Sequence, residues 1–255
     1  MSAAAIVGFG VVGIPVGSFL NVVIDRVPDR SSLRGERDGE PCAPAEVLGV
    51  PFQPWLARRG RGPGGALPRR WLYVEVLTPL VFGVLASRFG EDLTILPLLL
   101  LAAALVAVSV IDLQLLRIPD RVTFPALAAA LPLILFVTVR DDALGAFRGA
   151  LVGAAAYFMV LLIPHLIYPR GMGFGDVKLA LLMGLYLGWL GWTPTDPIAG
   201  PVQLVLYGLM LGCTLGVVFG LASAAITRRR GEFPFGPALA LACLVVAFYA
   251  PDLAL

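Results

Sequence analysis

The sequence predicts an all-α, polytopic membrane protein, and three observations carry that prediction. Apolar residues fill 58% of the 255 positions and charged residues only 14%, with a mean hydropathy of +0.88. An ordinary soluble domain is about 45–50% apolar and about 25% charged. The apolar residues gather into eight runs near the roughly 20 residues that cross a bilayer. The basic residues fall mainly in alternate links between those runs. Length alone suggests one or two domains, but the runs favour a single helical bundle.

The first run, 2–24, has no basic residue ahead of it and so lacks the n-region of a secretory signal peptide. Arg26 and Arg30 follow it, and the positive-inside rule places that end in the cytoplasm and the N-terminus outside. Gly17, Ser18 and Asn21 suit helix packing and interhelical hydrogen bonds. Residues 25–70 are hydrophilic and rich in Gly, Pro and Arg, with nine arginines against six acids. They read as a cytoplasmic loop domain between spans 1 and 2, its arginines suited to lipid headgroups. The second span, 71–88, carries Glu75 about one turn inside, within snorkelling reach of the surface. A partner for loop arginines is the favoured role there, with a substrate contact as the alternative.

The third span, 93–111, runs into Asp112, and Arg117 and Arg121 mark that end as cytoplasmic. Asp120, after Pro119, is placed to cap the fourth span, 122–139. The fifth, 144–168, ends near Arg170. It holds His165, the chain's single histidine, which without a partner histidine suits a polar contact better than a metal. Next comes Gly171-Met172-Gly173-Phe174-Gly175-Asp176-Val177-Lys178, opening the sixth span, 177–192. Gly173 and Gly175 give backbone freedom and admit close approach. Lys178 is placed to stabilise an ionised Asp176 or to bind a lipid phosphate. The seventh span, 201–226, ends at Arg228-Arg229-Arg230, and the eighth opens within 232–240. Of 19 basic residues, all but Arg88, Arg140 and Arg148 fall on one side. Both termini are then outside, and Asp112 and Asp176 share the cytoplasmic face.

An acid deep in a bilayer costs about 2.5–3.5 kcal/mol on insertion scales, so Asp112 and Asp176 are functional candidates by default. The plain alternative for Asp176 is a helix cap. Two carboxylates at one depth can share a proton: the ionised one activates water while the neutral one polarises a carbonyl. That is aspartyl proteolysis. A proton relay in a transporter uses the same pair, so a proton-coupled transporter stands as the second reading. Cys213 and Cys243 lie in apolar runs and read as small core hydrophobes. With Cys42 they form no C-x-x-C pair, so neither a disulfide framework nor a zinc site follows.

Stretches between Gly17 and Ala240 resemble, in order, the signatures of the type IV prepilin peptidases, a branch of the intramembrane G-x-G-D aspartyl proteases. Gly17-Ser18-Phe19-Leu20-Asn21 leads on to Arg26 and Pro28. Val50-Pro51-Phe52-Gln53-Pro54-Trp55-Leu56 leads on to Arg59-Gly60-Arg61. Val74-Glu75-Val76-Leu77-Thr78 follows, then Asp112 with Ile118-Pro119-Asp120, then Gly173-Phe174-Gly175-Asp176-Val177-Lys178. Phe233-Pro234-Phe235-Gly236-Pro237-Ala238-Leu239-Ala240 closes the series. The resemblance implies that Asp112 and Asp176 are catalytic, with Gly173, Gly175, Lys178 and Glu75 as substrate or support residues. It implies cleavage, after a glycine and without a metal, of leader peptides of type IV prepilins or type II secretion pseudopilins. The site is implied to lie near the cytoplasmic face of a prokaryotic cytoplasmic membrane. It also implies N-methylation of the new terminus with S-adenosylmethionine. Many members carry two C-x-x-C pairs suited to zinc. Here Gly62 and Gly65 stand at the later pair and only Cys42 lies upstream, so no zinc is expected. The expected partners are prepilin or pseudopilin precursors and membrane lipids, with no nucleic acid. The expected division is 1–92, a methyltransferase-like part with loop 25–70, and 93–255, a six-span peptidase core.

Overall fold

The computed structural model describes residues 3–27, 36–37, 40–41, 69–169, 172–227 and 234–253. Most of the expected loop domain, including Cys42, Gly62 and Gly65, lies outside the described residues.

The described chain is helical apart from one short antiparallel pair, β1 (Glu36–Arg37) with β2 (Glu40–Pro41). The helices are α1 (Ala3–Arg26), α2 (Arg69–Phe89), α3 (Ile95–Leu115), α4 (Asp120–Arg140), α5 (Leu144–Ile167), α6 (Phe174–Leu190), α7 (Ala199–Thr227) and α8 (Gly236–Leu253). All but α6 are long and apolar enough to cross a membrane. A helix satisfies its own backbone hydrogen bonds, which a lipid interior demands. α6 has 17 residues, a length of about 25 Å at 1.5 Å per residue. It is short for a bilayer core of about 30 Å, but it is not a lipid-facing helix.

The chain divides into two compact units, Met1–Ile95 and Leu96–Leu255. In unit 1, α1 packs along α2. Gly13, Gly17 and Asn21 recur every four residues and so share one face of α1. A Cβ on Gly13 would lie 2.5 Å from Cα of Pro79, and one on Gly17 would lie 3.2 Å from Cα of Glu75. Small residues at that spacing let two helices approach closely where lipid offers no hydrophobic drive to association.

Unit 2 is built around α6, which packs against α4, α5, α7 and α8. A helix apolar on every side belongs in a core, and every residue from Leu182 to Trp189 is buried. Gly149 and Gly153 of α5 meet Gly184 and Gly188 of α6 so tightly that a Cβ at any of them would overlap the facing backbone. On α3, Leu98, Leu101, Leu105 and Val108 are fully buried. Cys243 is in this core, but Cys213 is exposed on α7, contrary to its expected place. An apolar run does not say which face of its helix points inward.

Candidate active site

Asp112 sits near the end of α3. The Leu116 N–H donates to the Asp112 carbonyl at 2.9 Å, and Leu116 itself turns left-handed at φ 52°. A left-handed residue after the last turn is the usual way to end a helix, though glycine is the usual choice there. The chain then passes Ile118 and Pro119 into α4. Asp112 is 5% exposed. Its Oδ2 accepts the Gly236 N–H at 2.9 Å, at the first residue of α8. A Cβ on Gly236 would stand 2.8 Å from that same oxygen, so any side chain there would press on the carboxylate.

Asp176 lies in the first turn of α6 and is 8% exposed. Its N–H donates to the Gly173 carbonyl at 3.2 Å. A Cβ on Gly173 would lie 3.4 Å from Asp176 Oδ2, an ordinary contact, whereas one on Gly175 would lie 2.8 Å from Cβ of Ile118. Neither glycine has a left-handed φ, so at Gly175 the absent side chain matters for approach rather than for backbone freedom. That approach sets the start of α6 against the link that follows Asp112. The two carboxylates are close enough for the charge of Asp112 to be felt at Asp176. The N-terminal ends of α6 and α8 lie at the pair, and their dipoles favour negative charge.

Lys178 does not serve Asp176. Its Nζ donates to both carboxylate oxygens of Asp120, at 2.7 and 2.8 Å, and lies 5.0 Å from the Phe174 ring centre. Asp120 is therefore not the cap of α4. Pro119 occupies the N-cap position without a side-chain cap bond, and the Asp120 carboxylate turns to the ammonium, the stronger partner. His165 makes the expected polar contact, its Nδ1 lying 2.9 Å from the Met172 carbonyl oxygen.

Glu75 also departs from expectation. It does not snorkel; it is 2% exposed, because the Gly17 face of α1 covers it. Its Oε1 accepts the Ser18 hydroxyl at 2.7 Å, while Oε2 has no hydrogen-bond partner among the described residues. Asn21 Nδ2 donates to the Trp71 carbonyl at 3.1 Å, and Trp71 Nε1 is buried without a partner among the described residues. Among the described residues, no three of His, Cys, Asp or Glu stand together as a metal site.

Three residues of the aspartate site carried no role in the sequence reading. Ile118 and Gly236 lie inside recognisable stretches, and only the contact across the bundle gives them one. Leu116 gave no signal, since nothing in a leucine announces a left-handed turn.

The sequence profile of the type IV leader peptidase family matches residues 99–221, all of them in unit 2. Similarity to curated proteins extends over more of the chain. A prepilin leader peptidase/N-methyltransferase of Aeromonas hydrophila is 34% identical over 89% of this chain and 84% of its own length. Proteins of the same name from Myxococcus xanthus and Xanthomonas campestris pv. campestris are 32% and 30% identical. They cover 89% and 94% of this chain, and 67% and 90% of their own lengths. No solved structure matches.

Proposed function

Because the chain belongs to the type IV leader peptidase family, we infer that it is a membrane peptidase that removes the leaders of prepilin-like precursors. Its relatives are named for peptidase and N-methyltransferase activity together, and both are inferred for this chain. The observation that carries the peptidase reading is the buried pair of carboxylates, Asp112 and Asp176, at one end of unit 2. Like charges in a water-poor site favour a pair that holds one proton between them. The ionised member then takes a proton from the attacking water. The protonated member donates to the scissile carbonyl and stabilises the charge that develops there. The Gly236 N–H holds the Asp112 carboxylate in place, and the Asp120–Lys178 pair ties the start of α4 to α6.

The finer assignments belong to the same proposal. The arginine-rich links support a pair at the cytoplasmic face of a prokaryotic membrane, with both chain termini outside. Type IV prepilins and type II secretion pseudopilins are the proposed substrates. Residues 93–255 form the peptidase core, while 1–92 serve methyl transfer and the incoming leader. S-adenosylmethionine would supply an electrophilic methyl group. The buried Glu75 carboxylate of unit 1 could face its sulfonium charge. The transporter reading draws no support from the relatives.

The test is cleavage of a purified precursor by the protein in vesicles, with products read by mass spectrometry. Asp112→Ala and Asp176→Ala should each lower the rate at least ~1000-fold, about 4 kcal/mol at 1.36 kcal/mol per tenfold, while the protein still inserts. Full cleavage by Asp176→Ala would overturn the reading. Proton flux without cleavage in the wild type would establish the transporter instead.

A further inference from the structure

The helix that carries Asp176 starts without a side-chain cap. Gly173 is the N-cap of α6 and makes no side-chain cap bond. Ser, Thr, Asp or Asn at that position would fix the first turn through a side-chain oxygen, and glycine has none to offer. The start of α6 must therefore be held from outside if Asp176 is to face Asp112 at a constant separation.

The hold comes from α5. His165, two residues before the last residue of that helix, is half-buried. Its Nδ1 lies 2.9 Å from the Met172 carbonyl oxygen. A carbonyl only accepts, so Nδ1 carries a hydrogen and donates it, which fixes the orientation of the ring. The same ring packs on Phe174, with centroids 5.2 Å apart and planes tilted by 39°, in the range of favourable aromatic pairs. One side chain thus engages residues 172 and 174, on the two sides of the N-cap glycine. Asp176 follows two residues later, in the first turn.

We propose that His165 is a positioning residue for the aspartate pair, holding the start of α6 through Met172 and Phe174 so that Asp176 keeps its working distance from Asp112. Gly175 against Ile118 supplies a different constraint. That close approach is a steric stop, which limits how near α6 can come to the link after Asp112 and cannot draw it in. The His165 hydrogen bond and ring contact supply the attraction. His165 acts through backbone and a neighbouring ring, not on the substrate. The inference rests on the peptidase reading, since the pair is what His165 positions.

The experiment uses the full chain in vesicles, with kcat and KM measured on purified precursor. His165→Phe keeps a ring against Phe174 and removes the donor. His165→Asn removes the ring and returns an N–H near the place of Nδ1. Misplaced reacting groups can cost ~100-fold; with the Gly175 contact still in place, His165→Phe should lower kcat about tenfold. KM should stay within about twofold of wild type, as for an interaction that counts in the transition state alone. His165→Asn should recover kcat to within about threefold of wild type, since a backbone carbonyl accepts an amide N–H as readily. A wild-type kcat in His165→Phe overturns the proposal. So does an asparagine variant as slow as the phenylalanine one, or a change in KM at constant kcat, which would put His165 against the substrate.

A second readout does not need cleavage. Dicyclohexylcarbodiimide modifies protonated carboxyl groups that it reaches from lipid, and mass spectrometry measures the adduct on Asp176. Asp176 is 8% exposed. Local loosening of the α6 start should make labelling about threefold faster in His165→Phe, with His165→Asn close to wild type. Equal labelling in all three proteins overturns the inference, whether or not the wild type cleaves. A wild type that cleaves, with His165→Phe unchanged in both readouts, sinks this inference alone. A wild type that does not cleave, with faster labelling in His165→Phe, sinks the peptidase reading alone.

Discussion

Glu75 in unit 1 and Asp112 in unit 2 are almost equally hidden, at 2% and 5% exposure, and each sits where a glycine lets the chain come close. Their surroundings differ in kind. Asp112 has a backbone N–H from Gly236 at the start of α8 and a second carboxylate within electrostatic reach. Among the described residues, Glu75 has one hydroxyl, one oxygen without a donor and no second acid beside it. Burial by itself therefore does not mark catalysis. A pair of acids can divide one proton and do both halves of a hydrolysis. Glycine does the same mechanical job in both units: in unit 2 it brings backbone against the acids and the link beside them, and in unit 1 it brings two helices together over a buried acid.

Gly175→Val is the sharpest way to break that contrast. Its Cβ would fall 2.8 Å from Cβ of Ile118, so α6 must move away from the link that follows Asp112. Misplacement of reacting groups by about 1 Å can cost ~100-fold in rate. Cleavage should fall by about that factor, with insertion into the membrane retained. A cleavage rate equal to wild type, measured with the same precursor in vesicles, would mean that the contact does not set the distance between the carboxylates.

Gly236→Ala comes next. The added methyl would press on Asp112 Oδ2 and Cγ, at 2.8 and 3.2 Å, and lengthen the bond from the Gly236 N–H. Hydrogen bonds to charged groups contribute about 1.5–3 kcal/mol. Partial loss should lower the cleavage rate about tenfold, with little change in substrate KM. A rise in KM at unchanged kcat would place Gly236 in substrate binding rather than in holding Asp112.

The sequence carried the fold class, and it singled out two aspartates that the structure finds buried, because both readings start from strong physical signals. Runs near 20 apolar residues have few alternatives to spanning helices, and acids at their ends are too costly to be idle. It misjudged the side chains whose partners lie far off along the chain. Asp120 looked like a cap because Pro119 precedes it, yet its partner is Lys178, 58 residues on. Glu75 looked close enough to the surface to snorkel, yet Ser18, 57 residues back, meets it inside. Cys213 looked like core because hydropathy cannot say which face of a helix turns outward. In each case local pattern gave the element, and the tertiary contact decided the role.

Asp120→Asn should have the smallest effect of the three, and it tests how far the unit 2 site depends on ion pairing. The carboxylate takes both its bonds from Lys178 Nζ, at 2.7 and 2.8 Å. The side chains are 52% and 22% exposed for Asp120 and Lys178, so water screens the pair. Exposed pairs contribute about 0–1 kcal/mol, which sets the loss of cleavage at no more than about fivefold. Lys178 also has the Phe174 and Phe124 rings within 5.0 and 5.7 Å, which keep the ammonium in place when Asp120 is neutral. A double-mutant cycle with Lys178→Met isolates the pair's own contribution, since the two residues touch and single losses need not add. The coupling in cleavage rate should stay below about 1 kcal/mol. A coupling several times larger would mean that Asp120 and Lys178 hold the start of α6 against α4 as firmly as Gly175 sets it against Ile118. The alignment of Asp176 with Asp112 would then depend on charge as well as on close packing.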